Sequence, residues 1–184
     1  MFYIDFYQFL LSTAIEKYID DCMHSSSIVN IIRTSTWLQI KQFENANEKI
    51  YPLFIYYDEF ETGNPLSSHA GIHKLGAVYT SIACLPPNLT SQVKYIFLFA
   101  LFHYSDRLTK TNNQAAFQPV INELNYLSRV GISLDIPEFR EVIKFKLGAI
   151  LGDNLGLHSI LGFVESFNTK YPCRVCRANK EQVK

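Results

Sequence analysis

The chain has 184 residues, of which 48% are hydrophobic and 14% aromatic, which is long and apolar enough for one domain with a packed core. Its 17 basic and 17 acidic residues give a formal net charge of zero, so the composition excludes a general electrostatic attraction to nucleic acid, membranes or acidic partners. Any such attraction has to come from a local cluster of charges.

The first 50 residues predict a helical lead-in, and residues 51–184 predict one α/β core. Apolar side chains recur at nearly helical spacing over residues 3–22, and a second helical stretch is expected from Ile28 to about Glu44. Trp37 is the single tryptophan, and we expect it to pack the lead-in helices on the sheet.

From Tyr51 the pattern changes to short runs rich in β-branched and aromatic residues, over 51–57, 74–85 and 92–103. The polar segment DRLTKTNN follows, and then an apolar pattern at helical spacing that ends at Gly131. The segment REVIKFKLGAIL predicts a fourth strand, and HSILGFVESF predicts a short helix. The predicted order is therefore strand, strand, strand, helix, strand, helix.

This order predicts a mixed α/β sheet with three antiparallel strands and a fourth strand parallel to the first, reached through a crossover helix. It is the element order of the ribonuclease H-like nuclease fold, and it brings the ends of the first and fourth strands together. Asp58 follows the run YPLFIYY, and Asp153 follows VIKFKLGAILG. Two carboxylates at the ends of neighbouring strands can hold one hard divalent cation.

Each aspartate also has a structural interpretation, because Asp is common where strands end and turns begin. Glu59 follows Asp58 directly, and the alternation of side chains along a strand turns it away from the cation. We therefore expect Glu59 to be solvated.

Four segments, in order along the chain, carry a resemblance to a known family. They are YYDEFETGNPLSSHAGIHKLGAVY, LFALFHYSD, LGAILGDNLGLHSILGFVESF and YPCRVC. Over residues 51–180 the chain resembles the transposase-like proteins related to CACTA (EnSpm) elements. The first fifty residues match this family poorly.

The resemblance implies a ribonuclease H-like transposase core that uses Mg²⁺ or Mn²⁺ to cut and join DNA, with Asp58 and Asp153 as its first two catalytic and metal-binding carboxylates. The third acid would come after the Cys-x-x-C pair on a later helix, and the sequence given stops at Lys184. We therefore expect an incomplete catalytic set and no activity from the isolated chain. DNA is the implied partner, and a homo-oligomer is compatible with this family.

Cys173 and Cys176 have the two-residue gap of half a zinc site. A structural Zn²⁺ needs four ligands, so a second pair beyond Lys184 would have to complete the site. Inert thiols and a redox pair are the alternatives. His158 is the nearest candidate helper, but its context favours capping or packing over ligation.

The other cysteines and the N-terminus point to an intracellular protein. Cys22 and Cys84 are expected in the core, and four cysteines are too few and too unevenly spaced for a secreted disulfide scaffold. The segment MFYIDFYQFLL lacks the basic start and cleavage site of a signal peptide. The longest apolar run, residues 95–102, is far shorter than the roughly 20 residues that span a membrane. We expect a nuclear or cytoplasmic location, no secretion and no membrane partner.

A basic segment near residue 184 and two residues after the first strand are candidate DNA contacts. The segment contains Arg174 and Arg177 among five positive residues against Glu181 alone, and a solvated tail is the alternative. His73 and Lys74 are the other candidates.

Three functional interpretations remain open on sequence alone. The chain is a fragment of a DNA transposase, or a domesticated remnant that keeps the fold as an interaction module for nucleic acid or protein. The third is a zinc-knuckle binder, for which nucleic-acid affinity would be sensitive to salt and would need Cys173 and the nearby arginines.

Overall fold

A computed structural model describes residues 13–24, 30–42, 48–63, 73–107, 113–136 and 139–163, together with 170–171, 178–179 and 181–182. The start of the first predicted helix and the end of the last one lie outside these residues.

The described part of the lead-in is helical but more divided than predicted. Helix α1 spans Thr13–His24 and helix α2 spans Ser35–Gln42, with a 3₁₀ turn at Ile31–Arg33 between them. The stretch predicted as one helix is interrupted because Thr34 adopts an extended backbone, and its Oγ1 accepts the Trp37 N–H at 3.2 Å. Trp37 is 2% exposed and packs in the core with Ile50 and Tyr51, which confirms its predicted role.

Five strands form one mixed sheet in the order β3-β2-β1-β5-β4. Their bounds are β1 Lys49–Glu61, β2 Lys74–Ile82, β3 Phe97–His103, β4 Ile132–Ile136 and β5 Phe139–Leu151. Strand β2 pairs antiparallel with both β1 and β3, and β5 pairs parallel with β1. The mixed α/β class and the parallel strand beside the first are therefore as predicted.

Strand β4 was not predicted. It pairs antiparallel with β5, from Ile132 opposite Ile143 to Ile136 opposite Phe139. Gly131 separates it from the preceding helix at a φ of 78°, a conformation that glycine adopts without steric cost. Only Val130 and Gly131 lie between the end of the helix and this strand, so the five-residue run ISLDI had no longer loop before it to mark it as an element.

The remaining helices follow the strands. Short helices α3 Pro87–Thr90 and α4 Tyr104–Arg107 flank β3, and the long helix α5 Asn113–Arg129 crosses over to β4. Helix α6, Asn154–Ile160, follows β5. Val120 of α5 packs against Ile55, Tyr57 and Val78 of the sheet. None of the helices in the described ranges is long and apolar enough to cross a membrane.

The turn before β4 provides a test of the fold. Gly131 and Gly162 both have positive φ, but a Cβ at 131 would lie 2.5 Å from the Ile143 carbonyl oxygen, whereas a Cβ at 162 would meet no atom within 4 Å. We expect Gly162→Ala to lower the free energy of unfolding by about 1–2 kcal/mol, the cost of the left-handed conformation, and Gly131→Ala to lower it further. Urea denaturation of the two variants measures the difference. Equal losses would contradict the tight contact between this turn and β5.

Candidate functional site

The pairing of β1 with β5 brings the two predicted aspartates to one edge of the sheet. The last pair of this parallel ladder is Tyr56 opposite Leu151. Asp58 comes two residues after Tyr56, and Asp153 comes two residues after Leu151. A Cβ built on Gly152 would lie 3.1 Å from the Tyr57 carbonyl oxygen, so the two chains stay close beyond the ladder. Because neighbouring strands lie roughly 4.8 Å apart, the two aspartates start from adjacent backbone positions.

Asp58 lies within β1 and not at its end, which corrects the sequence prediction. The β1–β2 ladder continues past Asp58, opposite Ala77, to Glu61 opposite Lys74. Three of the four residues from 58 to 61 are acidic, and all four are exposed or half-buried. Their sequence therefore resembles the start of a loop, although the strand continues through them. The Asp58 side chain is exposed, and its Oδ1 accepts the Glu59 N–H at 2.9 Å.

Asp153 follows the end of β5, as predicted, and it is the N-cap of α6. Its Oδ1 accepts the Gly156 N–H at 2.5 Å, which satisfies an amide that has no partner inside the helix. The positive end of the helix dipole also favours the negative charge at this position. Asp153 therefore has a structural role, as the alternative interpretation of the sequence allowed, and its Oδ1 is engaged in this cap.

Glu59 is not solvated, contrary to the sequence prediction. Its side chain is 15% exposed and pairs with the ammonium group of Lys74, from Nζ to Oε2 at 2.5 Å. The Tyr57 hydroxyl donates to Glu59 Oε1 at 2.7 Å, and Arg107 Nη1 donates to the same oxygen. Alternation along β1 places Glu59 on the same face as Tyr57, and this face is covered by helices.

Arg107 of α4 is the centre of this cluster and is 5% exposed. Its Nη1 donates to the Tyr57 hydroxyl at 2.7 Å, and its Nε donates to Asn113 Oδ1 at 2.8 Å. Its Nη2 donates to the Ser159 hydroxyl of α6. A buried guanidinium is tolerated when its charge is paired and its donors are satisfied. We call Tyr57, Glu59, Arg107 and Ser159 the Arg107 network.

The network also fixes the protonation states of its members. Burial works to raise the pKa of Glu59, but hydrogen bonds from Lys74 and Tyr57 and the charges of Lys74 and Arg107 outweigh it and hold that pKa below its usual value. Burial, followed by the hydrogen bond to Glu59, raises the pKa of Tyr57. Glu59 is therefore ionised and Tyr57 neutral at physiological pH.

The carboxyl end of α6 is held by the same cluster. Asn113 Nδ2 donates to the carbonyl oxygens of Ser159 at 2.9 Å and Ile160 at 3.1 Å. The last carbonyl groups of a helix have no partner inside it, so Asn113 supplies one. Asn113 is thus bonded both to Arg107 and to the last residues of α6.

Asp58 and Asp153 are the type of ligand that a hard cation prefers, but they are only two. Carboxylate oxygens are the ligands that Mg²⁺ prefers, and Mg²⁺ is usually held by one or two carboxylates together with waters and substrate phosphates. Within the part of the chain that the structure describes, no group of three or more His, Cys, Asp or Glu residues could hold a metal ion. Asp58 and Asp153 alone are fewer than the three residues of such a group.

The other predicted site residues have different surroundings. Lys74, a candidate DNA contact, has its charge paired with Glu59 and lies 4.4 Å from the centre of the Tyr104 ring. His73 is exposed, and its backbone N–H donates to Glu61 at 3.1 Å. Cys173, Cys176, Arg174 and Arg177 lie outside the described residues, so the zinc knuckle and the basic segment stay predictions.

Two predicted packing roles are found. His158 is 5% exposed, and its ring centre lies 5.8 Å from that of Phe163. Cys22 and Cys84 are fully buried in the main core, and burial raises the pKa of the Cys84 thiol to about 12. A thiol with this pKa is protonated and therefore unreactive at neutral pH.

Sequence reasoning missed Arg107, Asn113 and Ser159. Arg107 and Asn113 belong to the segment DRLTKTNN, whose polar composition is typical of a turn. The sequence did contain one indication that Glu59 has a cationic partner. Tyr57 and Glu59 are two residues apart on a strand and therefore share a face. An acid on a buried face requires a cationic partner.

Comparison of the sequence with protein-family models and with curated proteins finds no match. The likeness to CACTA-related transposases therefore depends on the four sequence segments alone.

Glu59 gives a pH-dependent prediction. Because its pKa is lower in the folded state, its contribution to stability is present above its usual pKa near 4.5 and is lost as the pH falls through the folded value. At pH 7 we expect Glu59→Gln to lower the free energy of unfolding by about 2 kcal/mol, since hydrogen bonds to charged groups are lost.

The difference from the unsubstituted protein should shrink as the pH is lowered below 4. Urea denaturation at a series of pH values measures it, with Glu123→Gln on the exposed side of α5 as control. A constant difference from pH 7 to pH 3 would contradict the ionised pairing of Glu59.

Proposed function

We propose that this chain is the ribonuclease H-like core of a metal-dependent DNA transposase related to the CACTA elements, whose complete form cleaves and transfers DNA strands. The observation that carries the proposal is the register of β1 and β5. Their last pair is Tyr56 opposite Leu151, and Asp58 and Asp153 each come two residues later in adjacent segments of the same polypeptide. Two carboxylates, one on a strand and one just past the end of the neighbouring parallel strand, can hold one shared divalent cation.

The topology supports the same proposal. Strands β1 to β3 form an antiparallel meander, and the crossover through α5 leads to β5 beside β1. Strand β4 departs from the expected order, since it forms an antiparallel pair with β5. It lies on the outer side of β5 and leaves the β1–β5 pair in place.

In the proposed reaction the carboxylates would bind the cation, and the cation would stabilise the reacting phosphodiester. A bound Mg²⁺ or Mn²⁺ supplies Lewis-acid stabilisation of the charge that develops on a phosphodiester under attack by water or by a 3′ hydroxyl. Asp58, whose side chain is exposed, and Asp153 would hold that cation on the protein. Since the described residues provide two of the three acids that the family resemblance implies, we expect the 184-residue chain to bind a divalent cation without cutting DNA.

A non-catalytic remnant that retains the fold as an interaction module is the second candidate. One observation favours it, namely that Asp153 already has a structural role as the N-cap of α6. A chain that had lost catalysis would keep an aspartate or asparagine at this position for stability alone. The two candidates differ in whether the site binds a divalent cation.

Mn²⁺ titration separates these candidates. We expect Asp58→Asn and Asp153→Asn each to weaken Mn²⁺ binding by about tenfold or more, since changes around metal ligands commonly cost 10–100-fold in affinity. Asn is as good an N-cap as Asp, so Asp153→Asn should leave the thermal unfolding temperature nearly unchanged. Isothermal titration calorimetry measures the affinity.

Asp21→Asn, at an exposed position of α1, is the matched control and should bind Mn²⁺ like the unsubstituted chain. Equal affinity in all four proteins would eliminate the carboxylate site and favour the non-catalytic remnant.

A further inference from the structure

We propose that Arg107 and Ser159 are positioning residues that set Asp153 beside Asp58. This inference rests on the proposed function, because it concerns the geometry of the same carboxylate pair. Hydrogen bonds through the Arg107 network and Asn113 connect the strand that carries Asp58 with the helix that Asp153 caps.

The connection starts with two consecutive residues of β1. Asp58 and Glu59 point to opposite faces of the sheet, since side chains alternate along a strand. Asp58 is exposed on its face, and Glu59 is held on the other face by Tyr57, Lys74 and Arg107. Fixing the Glu59 side chain therefore also fixes the backbone from which the Asp58 carboxylate projects.

The connection continues into α6. Ser159 accepts a hydrogen bond from Arg107 Nη2, and its hydroxyl also lies 3.4 Å from Glu59 Oε1, toward which it donates. Asp153 lies six residues earlier, about 9 Å away along a helix axis. The hydroxyl of one serine thus bridges the Glu59–Arg107 pair and the helix whose first turn Asp153 caps.

Helix α6 depends on such ties because it is short. It has seven residues, and a helix of this length is unstable in isolation. At its amino end, Gly152 lies against the Tyr57 carbonyl. At its carboxyl end, Asn113 and Arg107 hold Ser159 and Ile160. If the carboxyl tie is removed, the helix can tilt about its amino end. The Asp153 carboxylate, which accepts the Gly156 N–H of that helix, then turns with it relative to Asp58.

Metal sites require ligands held to within about 0.5 Å. A small rotation of α6 is therefore enough to weaken a cation site without unfolding the protein. This distinguishes positioning from a purely structural role, in which stability changes and affinity does not.

Two variants of Ser159 test the inference on the full 184-residue chain. Ser159→Ala removes the bridging hydroxyl, and we expect it to weaken Mn²⁺ binding about tenfold, the effect of losing one hydrogen bond to a charged group. It should also speed amide hydrogen exchange at Gly156, whose N–H is held by Asp153. Ser159→Thr keeps the hydroxyl and should restore both readouts. Ser91→Ala, exposed near the opposite end of the sheet, is the matched control.

The outcomes separate the two proposals. If the unsubstituted chain binds Mn²⁺ through Asp58 and Ser159→Ala binds it equally well, the positioning role is wrong and the proposed function stands. If Ser159→Thr weakens binding as much as Ser159→Ala, packing and not the hydroxyl is responsible, and the positioning role is again wrong. If Asp58→Asn leaves Mn²⁺ affinity unchanged, the proposed function fails, and the role of Arg107 and Ser159 in it fails as well.

Discussion

The parallel pairing of β1 with β5 is the constraint on which the candidate site depends, and a bulge sets its register. Up to Leu53 opposite Leu147 the pairs advance in step, and Phe54 is then opposite Ala149, so Gly148 is passed over. A Cβ on Gly148 would lie 2.8 Å from Ile31 Cδ1 and 3.1 Å from Pro52 Cβ, so a larger residue in the bulge would force its neighbours to shift. Without this shift, Tyr56 would be opposite Ile150, and Asp153 would be displaced by one residue from Asp58.

The two faces of β1 have different surroundings at this end of the sheet. On one face Asp58 is exposed to solvent, and on the other Glu59 joins a buried, fully paired cluster with Arg107. Burying a guanidinium is costly, and the cost is recovered only if its hydrogen bonds are satisfied. The guanidinium meets this requirement with partners from β1, α5 and α6, and the same bonds hold α6 against the sheet. Stability and the geometry of the carboxylate pair therefore have a common source.

Much of this arrangement could be predicted from sequence, and the reasons for the rest are physical. Apolar runs identified four of the five strands and the crossover helix, and the parallel return of β5 brought Asp58 and Asp153 together. The bulge at Gly148 could not be predicted, because an isolated glycine in a strand permits a bulge without requiring one. Strand β4 was missed because only Val130 and Gly131 separate it from α5. The Glu59–Arg107 pair was missed because its members are 48 residues apart and no local pattern joins them.

Paramagnetic relaxation by Mn²⁺ tests the central geometric claim most directly. With ¹⁵N-labelled protein and substoichiometric Mn²⁺, amide signals close to the bound ion broaden, and the pattern of loss locates the ion. We expect the signals of residues 57–59 and 152–154 to broaden together. The signals of α2, which packs near the start of β1 at the other end of the sheet, should persist. Broadening at only one of the two segments, or at neither, would contradict the placement of the two aspartates around one cation.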